Sequence, residues 1–74
     1  MNGSELSQSL GARIRKLREE RNISQQDLAA ICNFEKSNMA RIESGRTNTT
    51  ILTLYKISIA LKVSLSLLVD IDSK

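Results

Sequence analysis

At 74 residues, 41% hydrophobic and 26% charged, the chain has the composition of one small folded domain, too apolar for disorder and too short for a second core. Cys32 is the single cysteine and there is no histidine, which excludes an internal disulfide, leaves a zinc site almost without ligands and removes the commonest general acid or base. The formal charge is +3, yet from Gly11 to Lys62 ten Lys and Arg stand against five Asp and Glu, a local +5 that suits a polyanionic partner, while Asp70 and Asp72 make the tail acidic.

No stretch approaches the roughly 20 apolar residues of a membrane span. No charged-then-apolar start resembles a secretory leader. A cytoplasmic location is therefore expected, with association to the nucleoid where DNA is the partner. Residues 1–74 read as a single domain with a core from about 10 to 69 and loose ends at 1–4 and 72–74. Proline is absent and β-branched alternation is rare, so the expected class is all-α.

Leu6, Leu10, Ile14 and Leu17 recur at three to four residues and predict a first helix with one apolar stripe; Arg13, Arg15, Lys16, Glu19 and Glu20 lie opposite. Asn22 can take the left-handed conformation that ends a helix, after which Ile23 returns to the core. Ser24 followed by Asp27 resembles a capping box and opens a second helix, Gln25 to Cys32. Leu28 and Ala29 face inward on it, together with either Ile31 or Cys32. Asn33 breaks that helix. A third follows from about Lys36 to Ser44, with Met39 and Ile42 inward, and Gly45 ends it. The segment Arg46 to Thr49 is a loop. A fourth helix runs from about Thr50 to Lys62, with a core stripe of Ile51, Leu54, Ile57 or Ser58, and Leu61. Ser64 caps a last short helix from Leu65 to about Val69, with Leu65 and Leu68 inward.

Two short helices joined by a turn of three or four residues read as a helix-turn-helix. Ala29 is the small residue needed where the helices cross, Asn33 tolerates positive φ in the turn, and Met39 and Ile42 anchor the second helix. The longer strings are more specific. Arg13-Ile-Arg-Lys-Leu-Arg18, Ser24-Gln-Gln-Asp-Leu-Ala29, Arg41-Ile-Glu-Ser-Gly-Arg46 and Leu54-Tyr-Lys-Ile-Ser-Ile-Ala-Leu61 follow one another in order. Over about Leu10 to Val69 the chain resembles the phage-repressor and Cro-like (XRE-type) helix-turn-helix family.

That resemblance implies a compact five-helix, lambda-repressor-like DNA-binding domain with the helix-turn-helix at helices 2 and 3. It implies that Gln25 donates to a DNA phosphate, where the helix N-terminus also favours anions. On the third helix it turns Lys36, Ser37, Asn38 and Arg41 toward base edges or flanking phosphates. Lys36 and Arg41 suit guanine O6 and N7, Asn38 suits adenine, and Ser37 donates or accepts. Arg46, with Thr47 and Asn48, sits in the loop that grips the backbone. Arg18 and Glu43 are implied to form a salt bridge from the first helix to the end of the third, which would also present Arg18 to a phosphate. Glu35 departs from the family's Ser or Thr cap. It is a poor cap and repels phosphate unless it accepts from a cytosine N4 amine. Asn33 replaces the expected Gly.

Leu52, Tyr55 and Ile59 form a second apolar stripe on the fourth helix, and Leu67, Val69 and Ile71 are apolar beyond what the last helix needs for the core. Such a surplus on a chain this size predicts a homodimer interface. Twofold pairing there would set two recognition helices roughly 34 Å apart on a palindromic operator. The function expected is a sequence-specific double-stranded DNA-binding transcription regulator, a repressor or autoregulator. The alternative is an antitoxin or protein-interaction module with secondary DNA binding. No acid/base pair, metal cluster or phosphate-cradling glycine loop suggests an enzyme, and no cofactor or small-molecule ligand is expected.

Overall fold

The computed structural model describes residues 2–71; Met1 and the carboxyl end at 72–74, with Asp72, lie outside the described residues. Five helices follow one another: α1 (Gly3–Glu20), α2 (Gln25–Cys32), α3 (Lys36–Glu43), α4 (Ile51–Leu61) and α5 (Leu65–Leu68). No strand occurs among the described residues.

Local chemistry sets most boundaries. Asn2 starts α1 earlier than its loose-looking sequence suggests. The Asn2 side chain accepts from the Glu5 N–H at 2.8 Å, and the Glu5 carboxylate accepts from the Asn2 N–H at 3.2 Å, a complete capping box. Ser24 caps α2 by accepting from the Asp27 N–H at 3.0 Å, and Asp27 makes no reciprocal bond. Thr50 and Ser64 cap α4 and α5 in the same way. Asn22, Asn33 and Lys62 end α1, α2 and α4 at φ of 56°, 61° and 60°, the left-handed stop that frees the chain to reverse. Asparagine tolerates that region through local hydrogen bonding; Lys62 has no such help, and its role as a stop is not legible in the sequence.

α2 packs on α3 and α4, α1 on α3 and α5, and α4 on α5. Ile14, Leu28, Met39, Ile57, Leu61 and Leu68 are fully buried at the centre. Three apolar residues expected in the core stand elsewhere. Leu6 lies where α1 extends past its partners and is exposed. Ile51, on the first turn of α4, is 67% exposed, so the core stripe of that helix begins at Leu54. On α2 it is Cys32 that turns inward, and Ile31 is exposed.

Arg13 of α1 and Arg21, the C-cap residue of that helix, act as clamps rather than solvated charges. Arg13 donates through Nε and Nη2 to the Leu67 carbonyl of α5, at 3.2 and 2.9 Å. Arg21 donates through Nε to the Leu61 carbonyl at the end of α4, at 2.8 Å. Both satisfy C-terminal carbonyls that have no intrahelical partner. Arg15 instead pairs with Glu19 at the surface.

Gly11 explains how close α1 comes to α3. A Cβ at this position would stand 2.6 Å from the Ile42 carbonyl oxygen, so α1 lies backbone to backbone on the last turn of α3. Glycine inside a helix is ordinarily unfavourable by about 0.5–1 kcal/mol relative to alanine. Here the close approach outweighs that preference. Gly11→Ala is expected to lower stability by about 1–3 kcal/mol, as other overpacked contacts do, read as a reduced urea midpoint at unchanged m-value. A raised midpoint would mean the contact is slack.

Candidate nucleic-acid interface

α3 has eight residues, too few to stand alone. A buried polar network fixes its end. Glu43 Oε2 accepts from Arg18 Nε at 2.7 Å, and Oε1 accepts from Arg18 Nη2 at 3.0 Å and from Gln25 Nε2 at 3.1 Å. Arg18 Nη1 donates to the Ile23 carbonyl at 2.8 Å. The Arg18 and Glu43 side chains are 9% and 3% exposed. One carboxylate thus joins α1, α2 and α3, and the planar guanidinium also holds the α1–α2 turn. The hydrogen bond to Glu43 raises the Arg18 pKa above its ordinary value, against the opposing effect of burial. The Arg18 side chain is turned inward, and its guanidinium is bonded to Glu43 and to the Ile23 carbonyl.

With Met39, Ile42 and Glu43 buried, the other side of α3 is free. Lys36, Ser37, Asn38 and Arg41 are all exposed there, and neither Lys36 nor Arg41 is in an ion pair among the described residues. Glu35 stands at the N-cap, exposed, with no side-chain capping bond, as a residue of its length would. Gln25 is half-buried; its bond to Glu43 takes one amide N–H and leaves the other donor available.

Gly45, at φ +76° and tight against Gln8 of α1, turns the chain out of α3. The Arg46 N–H closes the turn on the Arg41 carbonyl at 2.9 Å. Arg46 and Asn48 are exposed and Thr47 is half-buried, on the loop directly after α3.

A separate apolar surface lies on α4 and the carboxyl end. Leu52, Tyr55 and Ile59 are exposed on α4, as are Leu67 and Val69, while Ile71 is half-buried in a cleft with Leu6, Leu10 and Val69. Ile51 and Ile31 widen this surface. Ile31 forms a groove with Tyr55 and Ile59, and Lys56 and Lys62 line it as well. Sequence periodicity missed Ile31 because adjacent residues at the end of a short helix fit one stripe equally well. Burial pushes the Cys32 thiol up in pKa, against the lowering effect of Lys56, and Sγ donates to the Lys56 carbonyl at 3.8 Å. Cys32 is a packing residue that is poorly disposed to form a thiolate.

An all-α domain with a helix-turn-helix at α2 and α3 is a nucleic-acid-binding class, and comparison with known proteins gives the family. The Helix-turn-helix (HTH_3) family profile matches residues 14–68, and the chain belongs to this XRE/Cro-like family of DNA-binding transcription regulators. It is 34% identical over 55 residues to an uncharacterised HTH-type transcriptional regulator, y4dJ, of Sinorhizobium fredii, covering 74% of this chain and 71% of that one. It is 35% identical over 66 residues to the control protein C.MunI of a Mycoplasma species, covering 86% and 89%. Among solved structures it is similar to the restriction-modification controller C.AhdI of Aeromonas hydrophila, with TM-score 0.81, 28% identity and 86% and 96% of the two chains covered. It is also similar to the biofilm master regulator SinR in complex with DNA, with TM-score 0.75, 37% identity and 82% and 98% covered. These relatives are regulators rather than enzymes.

The buried network gives a prediction that a pair of surface charges would not. Glu43→Ala strands a buried guanidinium and is expected to cost about 3–5 kcal/mol. Arg18→Met combined with Glu43→Leu removes both charges and fills the space, and is expected to cost less than Glu43→Ala alone. Chemical denaturation of the set decides the matter; costs that simply add would mean the two side chains are not coupled in the folded state.

Proposed function

We propose that this protein is a controller-type transcription regulator, a repressor or autoregulator, that binds a palindromic operator as a homodimer with α3 of each protomer in the major groove. The observation that carries this reading is the division of α3. Its inner side is locked by the Arg18–Glu43–Gln25 network, while its outer side offers Lys36, Ser37, Asn38 and Arg41 unpaired to solvent. A rigid helix with uncommitted donors is what base-edge reading requires. The relative solved with DNA and the relatives named as controllers support it.

On this reading Arg41 and Lys36 seek guanine, Asn38 seeks adenine, and Ser37 adjusts to either. Glu35 accepts from a cytosine amine or is a tolerated repulsion. Gln25 gives its second amide N–H to a phosphate, and Arg46, Thr47 and Asn48 hold the backbone beyond α3. Leu52, Tyr55, Ile59, Leu67, Val69 and Ile71 form the dimer interface. Twofold pairing through this surface would set equivalent helices one DNA turn apart, roughly 34 Å. The location that follows is the cytoplasm, at the nucleoid when bound.

Arg41→Ala is expected to narrow the gap between matched and unmatched duplexes by about 1–3 kcal/mol, whereas Arg46→Ala weakens binding to every sequence and flattens its salt dependence. Footprinting on the DNA upstream of the protein's own gene, followed by titration of that site at several salt concentrations, reads both effects. Unchanged affinity in both variants would remove α3 and its loop from the interface.

Ile59→Glu is expected to yield monomers in sedimentation and to weaken operator binding by at least the loss of one half-site. An unchanged dimer would move the interface off this side of α4. A wild-type protein that is itself monomeric would favour a partner of a different kind for the apolar groove.

A further inference from the structure

Two polar clefts meet at Thr47 and Asn48. One leads back to Asn38 on α3. The other, about 700 Å³ and open to solvent, lies between the loop after α3 and the first turns of α1, with Ser4, Ser7, Gln8 and Arg46 in its walls. We propose that this second cleft is a DNA-backbone site, so that Ser4, Ser7 and Gln8 of α1 continue the phosphate track that begins at the recognition helix. The proposal rests on the operator-binding reading and extends it to residues outside the helix-turn-helix.

Three observations carry it. First, the cleft is fixed in position. Ser4, Ser7, Gln8 and Gly11 lie at i, i+3, i+4 and i+7 on one stripe of α1. Within that stripe Gly11 rests on the end of α3, and Gln8 rests on Gly45 of the loop. The cleft wall therefore keeps its register with the α3 surface. Second, among the described residues the one charged group in its walls is the Arg46 guanidinium; the nearby Glu5 carboxylate is turned back onto the Asn2 N–H. A cleft with one cation, the hydroxyls of Ser4, Ser7, Ser44 and Thr47 and the amides of Gln8 and Asn48 suits a phosphodiester, whose oxygens only accept. Third, the two clefts share Thr47 and Asn48, so these two residues connect the cleft of Asn38 to the cleft of Ser7. The proposed donors are side chains; at the start of α1 Asn2 accepts from the Glu5 N–H through its side chain and from the Leu6 N–H through its carbonyl.

The test uses Ser9, two residues from Ser7 and on the other flank of α1 beside Arg13 and Lys16, as a control of equal charge. Ser7→Glu is expected to weaken binding of matched and unmatched duplex alike by about tenfold at fixed salt, and Ser9→Glu by far less, since only the first carboxylate meets a phosphate. Ser7→Lys is expected to steepen the dependence of log K on log salt by about 0.9, the contribution of one displaced counterion, and Ser9→Lys to leave it unchanged. Thermal melting of each variant verifies the fold, and sedimentation verifies an unchanged oligomeric state, because Ser7 also lines the cleft of Leu6, Val69 and Ile71. Equal effects at positions 7 and 9 would overturn the cleft alone, leaving Arg41-dependent specificity intact. A wild-type protein that fails to bind duplex DNA would overturn both readings.

Discussion

The fold turns on one buried ion pair, because it is the directional contact at the end of the helix that faces outward. α3 is two turns long and cannot pay for its own nucleation. Met39 and Ile42 seat it on the core, but hydrophobic contact is non-directional and would allow it to roll or slide. Arg18 and Glu43 remove that freedom. Their bidentate geometry, at 2.7 and 3.0 Å, sets an angle as well as a distance; Gln25 donates a further bond to Glu43, and the Ile23 carbonyl accepts one from Arg18. Burying two charges carries a desolvation penalty that well-packed apolar residues would avoid. What the pair contributes is a defined orientation of α3 against α1 and α2 together.

Gly11 and Gly45 serve the same end through the backbone. The absence of a side chain at Gly11 lets α1 lie directly on the last turn of α3, which brings Arg18, two turns further along α1, within reach of Glu43. Gly45, in the left-handed region at φ +76°, then takes the chain out of α3 while lying against Gln8. Both ends of the contact are therefore determined by sterics, and the polar network closes between them. This arrangement spends the inner residues of α3 on position and leaves the outer ones free. Lys36, Ser37, Asn38 and Arg41 make no side-chain bond that the fold needs, so they can vary with the DNA sequence to be read.

The helix-turn-helix was legible because its signals are local. Ser24, Asn33 and Gly45 act within one turn of their own positions, and Met39 and Ile42 carry a clear period. Signals failed where the outcome depends on which partner lies opposite. Leu6 and Ile51 continue valid stripes, yet each lies at a helix end that projects beyond the core. Ile31 and Cys32 are adjacent, and only the position of α4 decides that the thiol goes inward. Arg13 and Arg21 look like solvated charges because a long side chain reaching a carbonyl on another helix leaves no periodic trace. The Asn2-x-x-Glu5 cap was readable in principle, but Gly3 and Ser4 between them are weak helix formers and mask it. For the interface, residue type and position on α3 were readable. The attachment of Gln25 to Glu43 was not, since it requires the packing of α2 against the end of α3.

Exposed apolar residues connect the stability of the domain to its function. A chain of this size buries a small core, yet Ile31, Ile51, Leu52, Tyr55 and Ile59 remain in water on one side. Polar residues there would cost the monomer nothing, since none of these side chains is part of the central cluster. On the proposed reading, a second copy covers them. A second copy fits best with the rest of the molecule, because a palindrome offers two equivalent half-sites and a twofold pair is the arrangement that presents two identical α3 helices to them. Under that arrangement the apolar side of α4 and the polar side of α3 are two parts of one device. The first sets the spacing of the readers and the second does the reading, while the Arg18–Glu43 pair keeps the angle between them from drifting.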